Sequence, residues 1–184
     1  TIDGNSANNA TGGMGVRVEG ASYDLLFNNV RATNWRFDGF AITGSGSRVQ
    51  LQNCQADANL RDGYSVTGVT RVGIAGSLGK GNTRFGIVFG AGSNQCRADS
   101  NVCVDNGDMN IMATSCTDAV FDGNVTSGSV AGHGLQFNTV TRGVMVGNST
   151  YGNGISGLDV YASTYCTVTG NNSYNNKVRG IVVD

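Results

Sequence analysis

Gly-Phe-Ala-Ile at residues 39–42 and Gly-Tyr-Ser-Val at residues 63–66 are two copies of one motif, a glycine followed by apolar–x–apolar, that returns along the whole chain. Successive copies begin roughly 23 to 25 residues apart, and a period of this length indicates a solenoid, in which each repeat buries its apolar face only against its neighbours. The other copies are Gly-Val-Arg-Val at 15–18, Gly-Ile-Val-Phe at 86–89, an imperfect Met-Asn-Ile-Met at 109–112, Gly-Leu-Gln-Phe at 134–137, Gly-Leu-Asp-Val at 157–160 and Gly-Ile-Val-Val at 180–183.

A second periodic column contains asparagine, with one serine, once in each repeat. Asparagine tolerates left-handed backbone conformations, and its amide bonds readily to neighbouring backbone. Asparagines stacked from coil to coil also bond to one another as a ladder. The sequence therefore predicts a buried ladder, whereas Asn153, which lies outside the column, is expected to be exposed. The column comprises Asn29, Asn53, Ser77, Asn101, Asn124, Asn148 and Asn171.

Each repeat has room for three short strands separated by turns, such as residues 48–52 and 54–59 around Asn53. This pattern predicts an all-β fold: a single-stranded right-handed parallel β-helix, or solenoid, with about eight coils of roughly 23–25 residues each. A leucine-rich repeat has a similar period, but it requires Leu-x-x-Leu-x-Leu and a helical return, and no helical periodicity is present. The absence of proline from all 184 residues favours the β-helix, because proline cannot donate a hydrogen bond to the next coil.

The core is predicted from the alternation of side chains along each first strand, which points the two apolar residues of the motif inward. At about 4.8 Å per stacked strand, eight coils form a rod roughly 35–40 Å long. No linker divides the chain, so residues 1–184 are predicted to form one domain. Its ends fall inside the pattern, which favours a piece of a longer protein. The predicted inward residues are Val16, Val18, Phe40, Ile42, Tyr64, Val66, Ile87, Phe89, Leu135, Phe137, Leu158 and Val160.

Charge and cysteine content exclude several classes of function. A net charge of −1 with 14% charged residues argues against a nucleic-acid partner, which requires clustered Lys and Arg. No apolar run is long enough to predict a membrane span. The five cysteines are odd in number and lack Cys-x-x-Cys spacing, which argues against a disulfide framework and against structural zinc. We expect buried free thiols, with Cys54 at an inward position; one disulfide is the alternative.

The chain resembles the right-handed parallel β-helix, or pectin-lyase-like, superfamily. The stretches Asn-Cys-Gln-Ala-Asp-Ala-Asn-Leu-Arg-Asp-Gly-Tyr at 53–64 and Tyr-Gly-Asn-Gly-Ile-Ser-Gly-Leu at 151–158 are most similar to the alginate C5-epimerase and polysaccharide lyase branch. The opening Thr-Ile-Asp-Gly-Asn at 1–5 also resembles the start of coils in that branch and in phage tailspikes. Members mostly cleave, epimerise or bind acidic polysaccharides. The resemblance therefore implies such a ligand and an extracellular or virion-surface location.

The resemblance does not assign catalytic residues. Epimerases of that branch have Tyr-Gly-Phe-Asp-Pro-His on an early first strand, whereas residues 38–43 here are Asp-Gly-Phe-Ala-Ile-Thr, which retain only Gly-Phe. The pectate-lyase type implies calcium-binding carboxylates beside an arginine. Asp99 and Asp122 with Arg97 are the candidates for that arrangement, although an exposed polar face explains the same residues. No cofactor and no metal ligands are predicted, because calcium has no clear motif here.

The outward positions of the first strands form the candidate binding face. Its last coils are polar and aromatic, with Gln136 beside Asp159 and Asn138 beside Tyr161. Such groups suit sugar hydroxyls and ring faces, so these four residues are the predicted substrate-binding set; ordinary surface variation is the alternative. The middle of the face is small or apolar, which suits packing against another subunit in a homotrimer. Those middle residues are Ser65, Thr67, Val88, Gly90, Ile111 and Ala113.

The positions just before each glycine supply the candidate catalytic residues. Asp108 and His133 fall one coil apart in this column. His133 is the only histidine, and imidazole is the usual general acid or base near neutral pH. The sequence therefore offers His133 with Asp108 as a catalytic pair, and a surface hydrogen bond as the alternative.

Three arginines precede the same column in successive coils, at Arg36, Arg61 and Arg84. They are candidates for a basic stripe that holds an anionic sugar chain. Their neighbours Asp38 and Asp62 offer a simpler interpretation, in which the charges pair with each other.

Three functions remain open from the sequence. The first is a module that holds a polysaccharide along its side. The second is a polysaccharide lyase, glycoside hydrolase or epimerase whose site is completed outside this segment. The third is a structural shaft or receptor-binding part of a phage tail spike or surface adhesin. Because the catalytic motif is missing, we favour an extracellular polysaccharide-binding or polysaccharide-processing module whose catalytic residues the sequence does not assign.

Overall fold

Three parallel sheets run the length of the chain, and each coil contributes one short strand to each sheet. The computed structural model describes residues 2–3, 13–21 and 23–184, and within these ranges it contains strands and no helix. Residues 1, 4 and 5 of the opening motif lie outside them. No described residue belongs to a helix long and apolar enough to cross a membrane.

The strands, numbered in chain order, follow one another around the coil. The first sheet contains β2 (Val16–Val18), β5 (Phe40–Thr43), β8 (Tyr64–Thr67), β11 (Ile87–Phe89), β14 (Ile111–Thr114), β17 (Leu135–Asn138), β20 (Ser156–Tyr161) and β23 (Arg179–Val183). The second contains β3 (Tyr23–Asn28), β6 (Ser47–Gln52), β9 (Thr70–Ala75), β12 (Arg97–Asp99), β15 (Val120–Asp122), β18 (Val144–Val146) and β21 (Thr167–Thr169). The third contains β1 (Ile2–Asp3), β4 (Arg31–Thr33), β7 (Gln55–Asp57), β10 (Leu78–Lys80), β13 (Val102–Val104), β16 (Val125–Ser127), β19 (Ser149–Tyr151) and β22 (Asn172–Tyr174).

This topology confirms the predicted all-β parallel solenoid. Phe40 is in register with Tyr64, and Tyr64 with Ile87, so the pairing of neighbouring coils follows the period of the motif. With eight, seven and eight strands in the three sheets, the described residues complete about seven turns, close to the eight coils predicted.

The core is a set of side-chain stacks along the axis of the rod. Phe40 and Tyr64 stack with ring centroids 4.9 Å apart, and Phe121 lies 4.8 Å from Phe137. The Tyr64 hydroxyl donates a hydrogen bond to the Leu78 carbonyl at 3.2 Å, so its burial leaves no polar atom unpaired. The predicted inward residues are buried, except that Val16 and Val18, in the first described coil, are half-buried.

The predicted asparagine column combines two neighbouring positions of the coil. Asn29 and Asn53 are exposed and occupy a left-handed corner, whereas Ser77 and the later members form the buried ladder one residue further on. At the corner, asparagine is favoured because its backbone tolerates the left-handed conformation. In the ladder, it is favoured because its side-chain amide bonds to neighbouring groups. The sequence alone does not distinguish these two roles. The corner comprises Asn29, Asn53, Gly76, Ser100, Gly123, Gly147 and Gly170, with φ between 53° and 65°.

Each amide of this first ladder is fully paired. The Asn148 Oδ1 accepts hydrogen bonds from the backbone N and the Nδ2 of Asn124, both at 2.9 Å. The Asn148 Nδ2 donates to the Asn171 Oδ1 at 2.8 Å and to the Phe121 carbonyl at 2.9 Å. The ladder therefore joins each coil to the next through the protein interior, where an unpaired amide would be costly.

A second buried ladder was not predicted. The expectation that Asn153 is exposed is wrong: it is 1% exposed, accepts from the Ser129 backbone N and donates to the Asn176 Oδ1 at 2.9 Å. Its position follows another left-handed corner, just as the first ladder does. The members of this column are Asn59, Asn82, Asn106, Ser129, Asn153 and Asn176.

The glycine of the motif is required by this second ladder. A Cβ on Gly63 would lie 2.5 Å from the Gly86 carbonyl oxygen and 2.8 Å from the Asn82 Nδ2. Real Cβ atoms do not approach that closely. The repeating glycine thus leaves the space that the stacked amides occupy, and a close approach, rather than a positive φ, explains it.

The fifth coil departs from the predicted register by one residue. Ile87 pairs with Ile111 and Phe89 with Ala113, so the motif is Asn-Ile-Met-Ala at 110–113 and not 109–112. Ile111 and Ala113, which were predicted on the outward face, therefore point inward, and Met112 between them faces outward. The prediction failed because this coil has Asn110 where the others have glycine.

Asn110 compensates for the serine in the second ladder. The Asn106 Nδ2 donates to the Asn110 Oδ1 at 2.7 Å, and the Asn110 Nδ2 donates to the Asn153 Oδ1 at 2.9 Å. The Ser129 side chain is too short to make both contacts, so an amide from the glycine position takes its place. The column of amides stays continuous from Asn106 to Asn153.

We expect Asn110→Gly and Ser129→Asn each to destabilise the rod by about 1–3 kcal/mol, because one breaks the ladder and the other crowds two amides into one space. The double variant restores the arrangement of the other coils and should recover most of the loss. Urea unfolding of the four proteins measures this coupling. If the double variant loses as much unfolding free energy as the two single variants together, Asn110 does not compensate for Ser129.

We also expect Asn148→Leu and Asn153→Leu each to cost about 1–3 kcal/mol of unfolding free energy, because each leaves buried partner groups unpaired. Gln52→Leu, at an exposed amide of β6, is the control and should cost well under ~1 kcal/mol. Denaturant midpoints measure all three. A midpoint for Asn153→Leu equal to that of the control would remove Asn153 from the ladder.

Candidate functional site

A groove of about 560 Å³ lies on the outer face of the first sheet, over its last coils. All four residues predicted to bind substrate line it, and so do both candidate catalytic residues. It is also lined by residues that the sequence analysis did not select, including Met109, Met112 and Arg179. The predicted residues in the groove are Asp108, His133, Gln136, Asn138, Asp159 and Tyr161.

The floor of the groove is a row of outward side chains on β14, β17 and β20. Met112 is in register with Gln136, and Gln136 with Asp159, so the predicted adjacency of the last two is correct. The three residues are 8%, 7% and 6% exposed. They point away from the core and yet are buried, because turn segments such as those of Ile155 and Val178 rise beside them.

A polar cluster occupies this floor. The Gln136 Nε2 donates to the Asp159 Oδ2 at 2.6 Å, and the His133 Nε2 lies 3.8 Å from the same oxygen. The His133 Nδ1 and the Gln136 Oε1 are buried, and neither has a hydrogen-bond partner among the described residues. A buried polar atom without a partner costs about 1–3 kcal/mol, and a polar ligand in the groove would remove that cost.

The predicted pairing of Asp108 with His133 is not found among the described residues. The Asn110 backbone N donates to the His133 carbonyl at 3.2 Å, which places Met109, not Asp108, in register with His133. The one-residue shift of the fifth coil is the reason. The carboxylate beside His133 belongs instead to Asp159, and the Asp108 side chain lies against Gly132. A catalytic role for either residue stays a prediction.

Tyr161 stands at one side of the groove with its side chain 52% exposed. It is in register with Asn138, as predicted. The Asn138 Oδ1 already accepts a hydrogen bond from the Thr139 hydroxyl at 3.0 Å, whereas the tyrosine ring offers a free apolar face. The groove therefore combines a polar floor with an aromatic side.

The arginine stripe is paired with carboxylates. Arg61 donates to Asp38, and Arg84 donates to Asp62 at 2.7 and 2.9 Å; both carboxylates are fully buried. Burial raises the pKa of Asp62, and its hydrogen bonds from Arg84 oppose that rise. The simpler of the two interpretations thus holds for Arg61 and Arg84.

The Asp99 and Asp122 carboxylates do stack on the second sheet, where they are in register. Arg97 donates a hydrogen bond to each of them. One guanidinium thereby bridges the two negative charges. Elsewhere in the described chain, no group of three or more His, Cys, Asp or Glu side chains converges on a common point.

The small-residue face does not offer the packing surface that the sequence suggested. Val88 is only 7% exposed, and Ile111 and Ala113 point into the core. Only Ser65, Thr67 and Gly90 of the predicted set keep part of their surface exposed. The observation that favoured packing between subunits is therefore lost.

The comparison with protein families identifies the chain. A family model described as "Periplasmic copper-binding protein (NosD)" matches residues 38–184. The chain belongs to the NosD family. The match includes every coil that contributes to the groove. No curated protein sequence matches this NosD chain.

Solved structures similar to the NosD chain are alginate-modifying β-helices. The mannuronan C-5 epimerase A-modules AlgE4 and AlgE6 of Azotobacter vinelandii share 15% identity with it, with TM-scores of 0.62 and 0.67 over 88% of this chain and 56% of theirs. The periplasmic alginate epimerase AlgG shares 12% identity, with a TM-score of 0.64 over 87% of this chain and 48% of its own. The NosD chain thus spans about half the length of these structures. The likeness confirms the predicted parallel β-helix fold.

The methionines of the groove were missed because the fifth coil was placed one residue out. The motif predicted at 109–112 put Met109 at the glycine position and Ile111 on the outward face. A signal was present in the sequence: this is the one motif copy without glycine, and an asparagine follows Met109 directly.

The five cysteines are free thiols, as predicted, and Cys54, Cys96, Cys103 and Cys116 are buried. Burial raises the pKa of Cys103 to about 12 and that of Cys116 to about 11, and it raises the pKa of Cys96 further. Cys166 is half-buried. Because the thiolate is the reactive form, the four buried thiols are unreactive.

In the native NosD chain at pH 8, we expect a thiol reagent to label one cysteine quickly, and that cysteine is Cys166. In denaturant, we expect the reagent to label all five cysteines. Cys166→Ser should abolish the fast phase and leave the slow labelling unchanged. Absorbance of the released chromophore gives the count. Fast labelling of two or more thiols in the native protein would show that the core opens more readily than its packing implies.

Proposed function

We propose that this NosD-family chain holds a polysaccharide in the groove of the first sheet, as a binding or processing module. The observation that supports this most is the polar floor of Gln136 and Asp159 with His133, in which the Gln136 Oε1 and the His133 Nδ1 have no hydrogen-bond partner among the described residues. Tyr161 stands beside that floor with half of its side chain exposed.

The chemistry of these groups suits sugars. A sugar hydroxyl both donates and accepts, so it can donate to the Gln136 Oε1, and it can pair with the His133 Nδ1 as donor or as acceptor. The tyrosine ring offers a flat apolar surface to the C–H face of a pyranose. Stacked strands are about 4.8 Å apart, so the floor presents its groups at a spacing of the same order as one pyranose unit.

The orientation of the ligand follows from the same residues. The floor row crosses β14, β17 and β20, so a chain lying on it runs along the axis of the rod. The groove is lined by Arg179 and by the carboxylates of Asp108, Asp159 and Asp184, so its charge does not determine the sign of the ligand. We infer an acidic polysaccharide from the similar epimerases, whose titles name mannuronan and alginate.

The family description and the AlgG title both name periplasmic proteins. We infer from them that this chain acts outside the cytoplasm, in the periplasm or the extracellular space.

If the bound chain is also processed, His133 is the candidate general acid or base. Its Nε2 lies 3.8 Å from the Asp159 Oδ2, and its Nδ1 has no hydrogen-bond partner among the described residues. Asp108 lines the same groove and is the second candidate. Lyase and epimerase chemistry both begin with removal of a proton from a sugar carbon, so one base serves either outcome.

A glycan array tests the binding proposal. We expect the wild type to bind acidic glycans, and the double variant Tyr161→Ala with Gln136→Ala to bind at least about tenfold more weakly, which corresponds to about 1.4 kcal/mol. Tyr165→Ala is the matched control, because this tyrosine of the same coil is 85% exposed and is not part of the groove. Equal binding by the wild type and the double variant would rule the groove out.

Turnover is tested on whichever glycan binds. Proton NMR of that glycan after incubation with the wild type distinguishes a new sugar configuration, a new double bond and no change. We expect any change to be lost in His133→Ala while glycan binding remains measurable. Unchanged turnover in that variant would exclude His133 as the base.

A further inference from the structure

One glycine of the second sheet stands where the fold does not require it. Gly73 lies in the middle of β9, between the buried Val72 and Ile74, so its position faces outward. Glycine weakens the interior of a strand, and it is used there for a bulge, for the close approach of another backbone or for a ligand. The surroundings of Gly73 distinguish these three uses.

Neither a bulge nor a neighbouring backbone explains Gly73. It pairs in register with Gln50 of β6 and with Arg97 of β12, so the parallel ladder passes through it unbroken. Its φ is not positive. The three atoms nearest to an ideal Cβ at this position all belong to the end of the flexible Gln50 side chain. A larger residue would fit once that side chain turned away, so the use that remains is a ligand.

The missing side chain leaves a depression of about 180 Å³ on the outer face of the second sheet. It is smaller than the ~300–1,000 Å³ of pockets for drug-sized ligands, so it suits a single small group. Gln50 lines it from one neighbouring coil, and Arg97 and Asp99 line it from the other. Arg71 and Gln95 line it as well, and the Arg71 Nε donates to the Gln95 Oε1 at 3.2 Å. Three successive coils thus supply five polar side chains to one small site.

Arg71 is a cation of this depression without a carboxylate partner among the described residues. It occupies a left-handed corner, with φ of 59°, and Arg142 occupies the same corner three coils further on, also with φ of 59°. Arg142 donates to the Asp118 carboxylate at 2.7 Å, whereas Arg71 donates to the neutral Gln95 amide. A carboxylate in the depression would supply the missing partner, because a guanidinium binds carboxylates with two parallel hydrogen bonds.

Asp99 contributes an acceptor without a donor. Its Oδ2 accepts a hydrogen bond from the Arg97 Nε, whereas its Oδ1 is buried and has no partner among the described residues. An ionised carboxylate only accepts, so a ligand beside it must bring an O–H or N–H group. Because Arg97 already balances the charge of Asp99, a neutral hydroxyl suits this position better than an ammonium. The Gln50 amide, which lies over the glycine, offers both a donor and an acceptor to further hydroxyls.

We propose that this depression binds a sugar acid, a carboxylate that bears several hydroxyls, with the carboxylate on Arg71 and the hydroxyls on Asp99 and the glutamine amides. A free monosaccharide and one unit of a chain present the same chemistry. The site lies on the second sheet, so the inference does not rest on polysaccharide binding in the groove of the first sheet.

Amide NMR of the ¹⁵N-labelled chain tests the site, with glucuronate as the probe. We expect the Gly73 backbone amide and the Gln50 and Gln95 side-chain amides to shift and to saturate. Glucose lacks the charge and acetate lacks the hydroxyls, so each should bind at least about tenfold more weakly. No shift at Gly73 with glucuronate, or equal affinity for either control compound, would overturn the proposal.

Two substitutions separate binding from stability. Gly73→Val fills the depression with a residue that strands favour, so we expect glucuronate binding to be lost while the thermal midpoint stays equal or rises. Arg71→Gln should weaken binding at least about tenfold, and Arg142→Gln, at the same corner of another coil, is the matched control. A clearly lower midpoint for Gly73→Val would show that the glycine serves packing. That result, or unchanged binding by Arg71→Gln, would overturn the proposal.

Two further comparisons identify the source of the ligand and keep the two sites apart. A glucuronate tetrasaccharide that binds more tightly than the monosaccharide indicates one unit of a chain, and equal affinity indicates a single sugar acid. The double variant Tyr161→Ala with Gln136→Ala alters only the groove of the first sheet, so it should give the wild-type shift at Gly73. Loss of that shift in the double variant would overturn the second-sheet site, whereas its retention supports that site whatever the groove binds.

Discussion

The buried asparagine amides that stack from coil to coil are the constraint on which the rest of the rod depends. Each such amide lies in the interior, where it must find a donor and an acceptor in the neighbouring coils. The second ladder adds a steric demand, since the Asn82 amide occupies the space where a Cβ on Gly63 would lie. Glycine and asparagine are therefore coupled in sequence, although they belong to neighbouring coils. The period of the chain follows from that coupling.

The same constraint shapes the candidate site. Where the ladder has Ser129 instead of asparagine, Asn110 fills the gap and takes the place of the motif glycine. The strand that follows is thereby displaced by one residue relative to the repeat, and Met112 faces outward onto the groove floor. The asparagine that completes the buried ladder thus determines which side chains of this coil face outward.

Much of the fold follows from the sequence because period and alternation are local properties. The pairing of Gln136 with Asp159 needed only the register of two glycine motifs. The two asparagine positions were merged because one residue type serves both a left-handed corner and a buried amide, as Asn53 and Asn101 do. The depth of the groove was not predictable, since its walls come from turns such as those at Ile155 and Val178, whose height no period encodes.

The outward floor positions carry none of the constraints that hold the coils together. Met112, Gln136 and Asp159 make no contribution to the amide ladders or the aromatic stacks, so each coil tolerates a different residue there. The inward positions demand only an apolar side chain of suitable size. Chains with 12–15% identity therefore share this fold, as the epimerases do. For this reason the function of a β-helix is argued from its groove residues and not from its neighbours in structure. Here those residues are a carboxylate, an amide, an imidazole and two thioethers within one cleft.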